Sequence, residues 1–170
     1  MLQGLAPLYS AATRLLVLGS FPGVASLQKQ QYYGHAQNHF WKITATLLSP
    51  VTPEVLSTEY ARRCDWLLEH GIGLWDVYAA CEREGSLDSS IRQAQPNDLK
   101  LLQNACPQLK AIAHNGGESF KHAKHTQALG VPVYRLPSSS PANATWSFER
   151  KLHAWRHVFL QAGLAVIGPQ

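Results

Sequence analysis

An aromatic segment at residues 30–41 has the side chains that a pocket for a flat heterocycle requires. Its sequence, QQYYGHAQNHFW, sets four aromatic rings among amides and two histidines. Rings of this kind stack on a planar ligand, while amides hydrogen-bond to its polar edge. Asn38 stands where a helix is predicted to begin, so a role as the helix N-cap is expected in either case. The alternative interpretation of the segment assigns Phe40 and Trp41 to the hydrophobic core.

The histidines and cysteines do not indicate a metal site. His35 and His39 have no carboxylate or cysteine at a spacing that matches metal coordination. Cys64, Cys81 and Cys106 lie far apart and form no Cys-x-x-Cys pair. This pattern argues against a structural zinc or a four-cysteine iron–sulfur cluster, and it favours a reducing compartment. We therefore expect neither a metal nor another cofactor.

A second candidate element is the sequence GSFPG at residues 19–23. Glycines allow the backbone to approach a ligand closely, and consecutive free amides can form a nest for an anion or an oxygen. The alternative is an ordinary turn after a strand. The pentapeptide has neither the Gly-x-Ser-x-Gly register of a nucleophile elbow nor the Gly-Lys-Ser/Thr of a P-loop. Ser20 is therefore a weak candidate for the nucleophile of an esterase-like hydrolase.

Polar residues also stand at the ends of two further predicted strands. Asp76 ends an apolar run, where a carboxylate is either desolvated and functional or paired with a nearby base; both interpretations remain open. Asn115 belongs to the His-Asn-Gly-Gly turn at residues 114–117, whose residues tolerate left-handed backbone and lead into a helix. On that helix, Lys121 and Lys124 could lie over phosphates or could form a solvated face.

The loop at residues 136–143, LPSSSPAN, follows the fourth predicted strand. Two prolines, Pro137 and Pro141, stiffen a run of hydroxyl residues, Ser138, Ser139 and Ser140. A narrow, rigid loop that is rich in hydrogen-bonding groups is suited to contacting a DNA backbone or entering the minor groove.

These motifs need a scaffold that brings them together, and the hydrophobic pattern predicts one. Short apolar runs followed by turn-rich clusters are typical of strands covered on both faces, and helical stretches separate them. Alternating strands and helices predict an α/β fold with a parallel sheet between helical layers, in which ligands bind at the carboxyl ends of the strands. The predicted strands are 14–18, 73–77, 109–114 and 131–136; the predicted helices are 38–48, 53–69, 97–105, 117–129 and 146–162.

Length and composition are consistent with one globular domain spanning residues 1–170. The chain is 45% hydrophobic and carries a formal net charge of +4, an excess that permits a polyanionic partner without requiring one. No apolar run approaches the roughly 20 residues of a membrane span, and the N-terminus lacks the pattern of a signal peptide. We expect a cytoplasmic protein with no membrane partner.

Taken in order, the motifs resemble those of the uracil-DNA glycosylase superfamily, most closely its hypoxanthine-DNA (deoxyinosine) glycosylase branch. The resemblance extends from about residue 14 to residue 160. It implies an α/β/α sandwich with a four-stranded parallel sheet and a metal-free, monofunctional enzyme that hydrolyses the N-glycosidic bond of a flipped-out deaminated base in DNA. It also implies that Asn38 is catalytic and that residues 137–142 form the loop that enters the DNA. We expect a monomer acting on damaged double- or single-stranded DNA.

Two positions depart from the superfamily pattern. The best-known members have Asp or Asn as the third residue of the first glycine motif, where this chain has Phe21, and many have His or Asn before the Pro-Ser pair, where it has Leu136. The usual sources of water activation and leaving-group stabilisation are therefore replaced, which leaves Asn38 as the main catalytic candidate.

The residues support a division of roles. An amide binds no proton near neutral pH, but the Asn38 carbonyl can orient a water and stabilise a cationic sugar. We expect Phe40, and also Phe21, to stack on the extruded base. Asp76 is expected to accept the N1–H of hypoxanthine, which adenine lacks. The rest of the predicted contacts comprise Ser20 and Asn115 to the base, and Pro137, Ser138, Ser139, Ser140, Lys121 and Lys124 to DNA. The competing class is a non-catalytic α/β module that binds a nucleotide or nucleic acid.

Overall fold

A four-stranded parallel sheet forms the centre of the computed structural model, which describes residues 1–49 and 56–168. Its order is β3-β2-β6-β7, and all neighbouring strands are parallel. All four predicted strands are confirmed, with bounds shifted by one or two residues. The strands are β2 (Leu15–Gly19), β3 (Ile72–Asp76), β6 (Ala111–Asn115) and β7 (Val133–Leu136).

Helices cover both faces of this sheet, as the predicted α/β/α sandwich requires. Leu15 and Val17 of β2 face one core and Leu16 and Leu18 face the other, because successive side chains of a strand point to opposite faces. The helices are α1 (Val24–Lys29), α2 (Phe40–Leu48), α3 (Tyr60–Glu69), α4 (Lys100–Ala105), α5 (Gly117–Phe120), α6 (Ala123–Gln127) and α7 (Phe148–Gln161). Within the described ranges, no helix has both the length and the apolar character needed to cross a bilayer.

The predicted helix at 117–129 is wrong as a single element, because the chain forms α5 and α6 instead. The two helices place Ser119 Oγ and Thr126 Oγ1 at 2.8 Å from opposite ring nitrogens of the buried His114. In one straight helix, residues seven apart are separated by about 10 Å along the axis, which is too far to bracket one imidazole. The break therefore lets both hydroxyls bind the same ring.

Other helix boundaries differ at their starts. The predicted helix at 53–69 has its first residues outside the described part of the chain, and the described helix α3 begins at Tyr60 because Glu59 is extended (φ −60°, ψ 151°). Helix α2 begins at Phe40 with His39, not Asn38, in the N-cap position. Helix α4 is confirmed over its last six residues. Helix α7 begins after Ser147, whose Oγ accepts a hydrogen bond from Arg150 N at 3.2 Å.

A small antiparallel sheet beside the main one was not predicted. It has the order β1-β4-β5, with strands β1 (Leu2–Gln3), β4 (Tyr78–Glu82) and β5 (Arg92–Pro96). Strand β5 is exposed throughout and has the sequence RQAQP, so it carries no alternation of apolar and polar residues. The connection between β4 and β5 contains a 3₁₀ turn at Asp88–Ser90, which this sheet brings to the carboxyl edge of the main sheet.

Candidate functional site

The loops that follow the four parallel strands meet around one cavity of about 710 Å³. Register explains why they meet: Gly19 pairs with Asp76, and Asn115 pairs with Leu136, so the strand ends are level. The expectation that the separate motifs share one edge of the sheet is thus confirmed. The predicted site residues that line the cavity are Ser20, Phe21, Asn38, Asp76, Asn115, Pro137, Ser138, Ser139 and Ser140.

Asp76 lies in this cavity as a buried carboxyl group, with 5% of its surface exposed. Its Oδ2 has no hydrogen-bond partner among the described residues, and within the same ranges no basic side chain forms an ion pair with it. Burial is the main reason that the pKa of Asp76 is raised to about 7; the charge of Asp88 adds to the shift, and Arg83 opposes it. The interpretation of Asp76 as the ion-pair partner of a basic side chain is therefore not supported. The other interpretation, a desolvated functional carboxyl, remains.

Gly19 makes room for this carboxyl. A Cβ at position 19 would collide with Oδ1 of Asp76, so glycine at this position permits the carboxyl to lie where it does. The glycine thus places the carboxyl against the backbone of the neighbouring strand.

Phe40 does not line the cavity, whereas Tyr33 does, together with Phe21, Tyr32 and Trp146. Phe40 is fully buried and packs in the core against Trp41 and Trp155. Tyr33 lines the cavity and stacks on Phe40, with ring centroids 4.2 Å apart and an interplanar angle of 20°. The prediction that Phe40 itself stacks on a ligand is therefore corrected: Phe40 supports the Tyr33 ring, which does line the cavity. The backbone of Tyr33 is left-handed (φ 55°), which sets the direction of its side chain.

The Tyr33 hydroxyl stays protonated, because burial and the nearby Asp76 carboxylate both raise the pKa of Tyr33. Phe21, the second ring that we expected to stack on a base, is also largely buried. The guanidinium of Arg83 lies over the Phe21 ring at 5.3 Å from its centroid. Phe21 therefore forms part of the cavity wall and packs into the core on the opposite face of the sheet from Phe40.

Asn38 lies at the border of the cavity, immediately before helix α2. Its Oδ1 accepts a hydrogen bond from Phe40 N at 2.9 Å. The prediction that Asn38 is the N-cap is thus wrong by one residue. Its side chain still accepts a hydrogen bond from the first turn of the helix, but from the position before the N-cap. A carbonyl oxygen has two lone pairs, so one of them stays available for a water or a ligand.

Asn115 and Ser139 clamp the serine loop to the end of β6. Asn115 Nδ2 donates to Ser139 Oγ at 2.9 Å, and Ser139 N donates to Asn115 Oδ1 at 3.0 Å. Both residues are buried, and Ser139 is only 1% exposed. The buried hydroxyl of Ser139 is therefore a structural group, which corrects its predicted contact with DNA. The predicted base contact of Asn115 stays a prediction, beside the clamp that the structure shows.

The rest of the serine loop is held by its own hydrogen bonds. Ser140 N donates to Ser138 Oγ at 3.1 Å, and Asn143 Nδ2 donates to Ser138 O at 3.1 Å. Trp155 Nε1 donates to Pro137 O at 3.0 Å, which fixes the loop to helix α7. The loop is thus preorganised, as its two prolines suggest, with Ser138 and Ser140 half-buried at the cavity.

Asp88 is a second carboxyl group at the cavity, and the sequence analysis missed it. Ser20 Oγ donates to Asp88 Oδ1 at 2.6 Å. Burial is the main reason that the pKa of Asp88 is raised, and the hydrogen bond from Ser20 opposes that shift. Ser20 therefore serves to hold Asp88, which weakens the idea of a serine nucleophile further. Asp88 belongs to the unpredicted hairpin between β4 and β5, so no motif pointed to it.

The two lysines that we expected over phosphates lie away from the cavity. Lys121 Nζ forms an ion pair with Glu118 Oε1 at 3.0 Å, and Lys124 is exposed on α6. Neither residue lines this cavity. Their contact with DNA stays a prediction, but the structure does not bring them to the other candidate residues.

No group of three or more potential metal ligands occurs among the described residues. The cavity instead combines a buried carboxyl, a stacked aromatic pair, an amide at its border and a rigid serine loop. Such a combination can hold a planar, polar heterocycle edge-on to Asp76 and face-on to Tyr33. It can also place a water near the bond that joins the heterocycle to the rest of its molecule, through the free lone pair of Asn38.

Comparison with known proteins is consistent with this geometry. The sequence profile of the uracil DNA glycosylase superfamily matches residues 6–159. A hypoxanthine DNA glycosylase of Methanosarcina barkeri is 35% identical over 157 residues, which cover 92% of this chain and 97% of that protein. The hypoxanthine DNA glycosylase of Methanosarcina acetivorans is 36% identical over 147 residues, covering 86% and 90%. A solution NMR structure of a Methanosarcina acetivorans protein assigned to the uracil DNA glycosylases superposes with a TM-score of 0.79 at 33% identity, covering 92% and 97%.

Proposed function

The chain belongs to the uracil DNA glycosylase superfamily, and from this membership and the site geometry we propose that it releases hypoxanthine from DNA by hydrolysing the N-glycosidic bond. The observation that carries the choice of base is the buried, unpartnered Oδ2 of Asp76 in the cavity. A buried acceptor without a partner is costly, and a ligand N–H is the group that would satisfy it.

Hypoxanthine offers Asp76 a hydrogen that adenine does not. Its N1 carries a proton, whereas N1 of adenine is an acceptor, so an ionised carboxylate binds the first and repels the second. With a pKa of about 7, Asp76 is present in both forms near neutral pH. Only the ionised form discriminates in this way, because a protonated carboxyl can also donate to an acceptor nitrogen.

Tyr33 is proposed as the surface on which the extruded base stacks, with Phe40 behind it. Base–aromatic stacking contributes about 1–3 kcal/mol per base. Extrusion itself costs a few kcal/mol, and less for a mispaired base such as hypoxanthine. The stacked pair and the rigid serine loop would offset that cost, the first by binding the base and the second by holding the opened strand.

Asn38 is proposed to orient the water that attacks C1′. The free lone pair of its Oδ1 accepts a hydrogen bond from this water, and its dipole stabilises the cationic sugar of the transition state. Water oxygen bonds to C1′, the electron pair of the C1′–N9 bond leaves with the purine, and the proton lost by the water ends on the departing base. We propose that the protein does this as a monomer, on damaged double- or single-stranded DNA.

A strand-cleavage assay tests the proposal. The protein is incubated with a duplex that contains one deoxyinosine and is then treated with hot alkali, which breaks DNA at abasic sites. We expect cleavage at the inosine after alkali only, and no cleavage of a matched duplex with adenosine at that position. Intact inosine DNA together with measurable nucleotide binding would contradict the proposal and would support a non-catalytic binding module.

A further inference from the structure

A second cavity, of about 1020 Å³, lies on the other side of the Asn38 loop. Lysine or arginine side chains contribute to its lining at four positions, and no aspartate or glutamate does so among the described residues. Three of these cations have contacts with neutral groups: Lys29 Nζ donates to Gly34 O at 2.8 Å, the guanidinium of Arg63 lies over the Trp41 ring, and Lys42 Nζ lies over the Phe148 ring. The fourth is Lys151.

Lys151 is unusual because its ammonium group is buried without a counter-charge. The residue is 1% exposed, and Nζ lies 3.2 Å from His39 Nδ1 and 3.4 Å from Ser140 O, both of which are neutral acceptors. In the described part of the chain no carboxylate pairs with it, and burial lowers the pKa of Lys151. An ammonium group has three donors, so at least one remains for a further partner.

Lysine charges outnumber the single carboxylate that acts on His39, the imidazole in contact with Lys151. Burial lowers the pKa of His39, Lys151 and Lys42 lower it further, and Glu149 opposes them. Lys42 is exposed and its Nζ lies 4.3 Å from the centroid of the Phe148 ring, at the edge of the same cavity. A buried cation beside a second cation is stabilised by an anion, and the cavity is open to one.

The position of this cavity indicates which anion. Asn38, Pro141, Asn143 and Trp146 line both cavities, so a ligand in the second one is adjacent to a nucleotide in the first. The two loops between the cavities are joined directly, since His39 N donates to Ser139 O at 2.9 Å. The nearest anion to an extruded nucleotide is the phosphodiester that links it to its neighbour.

We propose that the second cavity binds a backbone phosphate next to the extruded nucleotide, with Lys151 as its buried counter-charge and Lys42 at its rim. The proposal rests on the proposed function in one respect, that the substrate is DNA with an extruded base. Lys151 is then a binding residue that connects the DNA strand to both the Asn38 loop and the serine loop. If Lys151 only bridged those loops, replacing it would not change how much the neutralisation of any single phosphate weakens DNA binding.

Binding measured on phosphate-neutralised DNA separates the two cases. Each duplex in a series carries one uncleavable 2′-fluoro-deoxyinosine and one uncharged methylphosphonate, whose position moves along the linkages around that nucleotide. Dissociation constants are measured by fluorescence anisotropy. We expect one linkage whose neutralisation weakens wild-type binding about tenfold, as one lost charged contact would. Lys151→Met should weaken binding to the all-phosphate duplex about tenfold and should show no further loss at that linkage.

Two more variants make the result decisive. Lys100→Gln removes an exposed charge from α4, outside both cavities, and should leave the effect of that linkage unchanged. Lys42→Met removes the exposed cation and decides the question if Lys151→Met fails to fold in a thermal melt; it should reduce the effect of the same linkage about threefold. The proposal would be overturned if the affinity losses from the methylphosphonate and from Lys151→Met multiplied at every linkage, as independent effects do. Unchanged affinity in the lysine variants would overturn it as well. A lack of base release with the coupling intact would instead contradict the glycosylase function and leave the phosphate site standing.

Discussion

Replacing Asn38 by alanine is expected to lower the single-turnover rate of hypoxanthine release by about 10²–10³-fold, because one oriented polar group in the transition state contributes that much. Its Oδ1 already accepts one hydrogen bond from Phe40 N, so its second lone pair is the one assigned to the water. DNA affinity should change little, since Asn38 is not assigned a ground-state contact. The rate is measured with enzyme in excess over an inosine duplex, and affinity by anisotropy on the uncleavable analogue.

The matched control for this variant is Asn38→Ser. Serine caps a helix about as well as asparagine, whereas alanine loses a capping bond that contributes about 1 kcal/mol. We expect Asn38→Ser to keep wild-type stability and to be as inactive as Asn38→Ala, because a hydroxyl that accepts from Phe40 N has neither the planar second lone pair nor the dipole of the amide carbonyl. Recovery of activity by serine, or alanine rates within a few-fold of wild type, would mean that Asn38 acts only on the helix.

Replacing Asp76 by asparagine is the second change with a large expected effect. The carboxylate accepts the N1–H of hypoxanthine, and the amide can instead turn its NH₂ toward a base whose nitrogen is an acceptor. A mismatched buried polar group costs about 1–3 kcal/mol, so the preference for inosine over adenosine should fall by about 10–100-fold. The measurement is the ratio of dissociation constants for the 2′-fluoro analogues of the two nucleotides, with and without the mutation.

The pH dependence of the same ratio gives an internal check. The pKa of Asp76 is raised to about 7, so the ionised form prevails above pH 7 and the protonated form below it. Discrimination by the wild type should therefore fall when the pH is lowered from 8 to 6, and the Asp76→Asn protein should show no such change. A wild-type ratio that is constant over this range would contradict the assignment of Asp76.

Stability provides a separate test of Asp76. Its folded pKa is raised above the unfolded value, so folding is favoured by the protonated form; that stability is present below pH 4 and is lost as the pH rises through about 7. Asp76→Asn should thus be more stable than wild type at pH 8, by about 1–3 kcal/mol once the cost of a buried amide is included. The gain should vanish near pH 4. Urea unfolding at both pH values measures it, and a variant less stable at pH 8 would indicate a structural pairing.

Much of the site followed from local patterns in the sequence. The four parallel strands are short, largely apolar runs, and three of them, β2, β6 and β7, are followed by glycine, proline or serine residues, so their common edge was predictable from the rule for parallel sheets. Asp76 stood out because a carboxylate ends an apolar strand. The serine loop stood out because two prolines enclose it. These signals need no knowledge of distant contacts.

Other features depended on tertiary structure. The segment with Tyr33 and Phe40 contains four rings, and the left-handed backbone at Tyr33 sets the direction in which the Tyr33 ring points. Hydrophobic periodicity does not predict a positive φ for a tyrosine. Asp88 lies between two strands of which one is fully exposed, so neither burial nor alternation marked that hairpin. Long-range pairing alone brings it to the cavity.

Lys151 is an intermediate case, since a signal existed. It lies three residues after Phe148 and four before Trp155, which places it on the apolar face of α7 by helical periodicity. A lysine on that face is either a stem that reaches solvent or a buried charge. Only the structure shows that it is buried, between His39 and the serine loop.

Hydrolysis in water enriched in oxygen-18 tests the central claim most directly. A duplex that contains deoxyinosine is incubated with the protein in this solvent, and the masses of the products are determined by mass spectrometry. The abasic sugar is trapped by reduction before its oxygen exchanges with the solvent. We predict equal amounts of unlabelled hypoxanthine and of an abasic sugar that carries one oxygen-18 atom. Every phosphodiester should be intact before alkali treatment. Heavy oxygen in a phosphate, or in a base that stays attached to its sugar, would contradict cleavage of the bond between C1′ and N9.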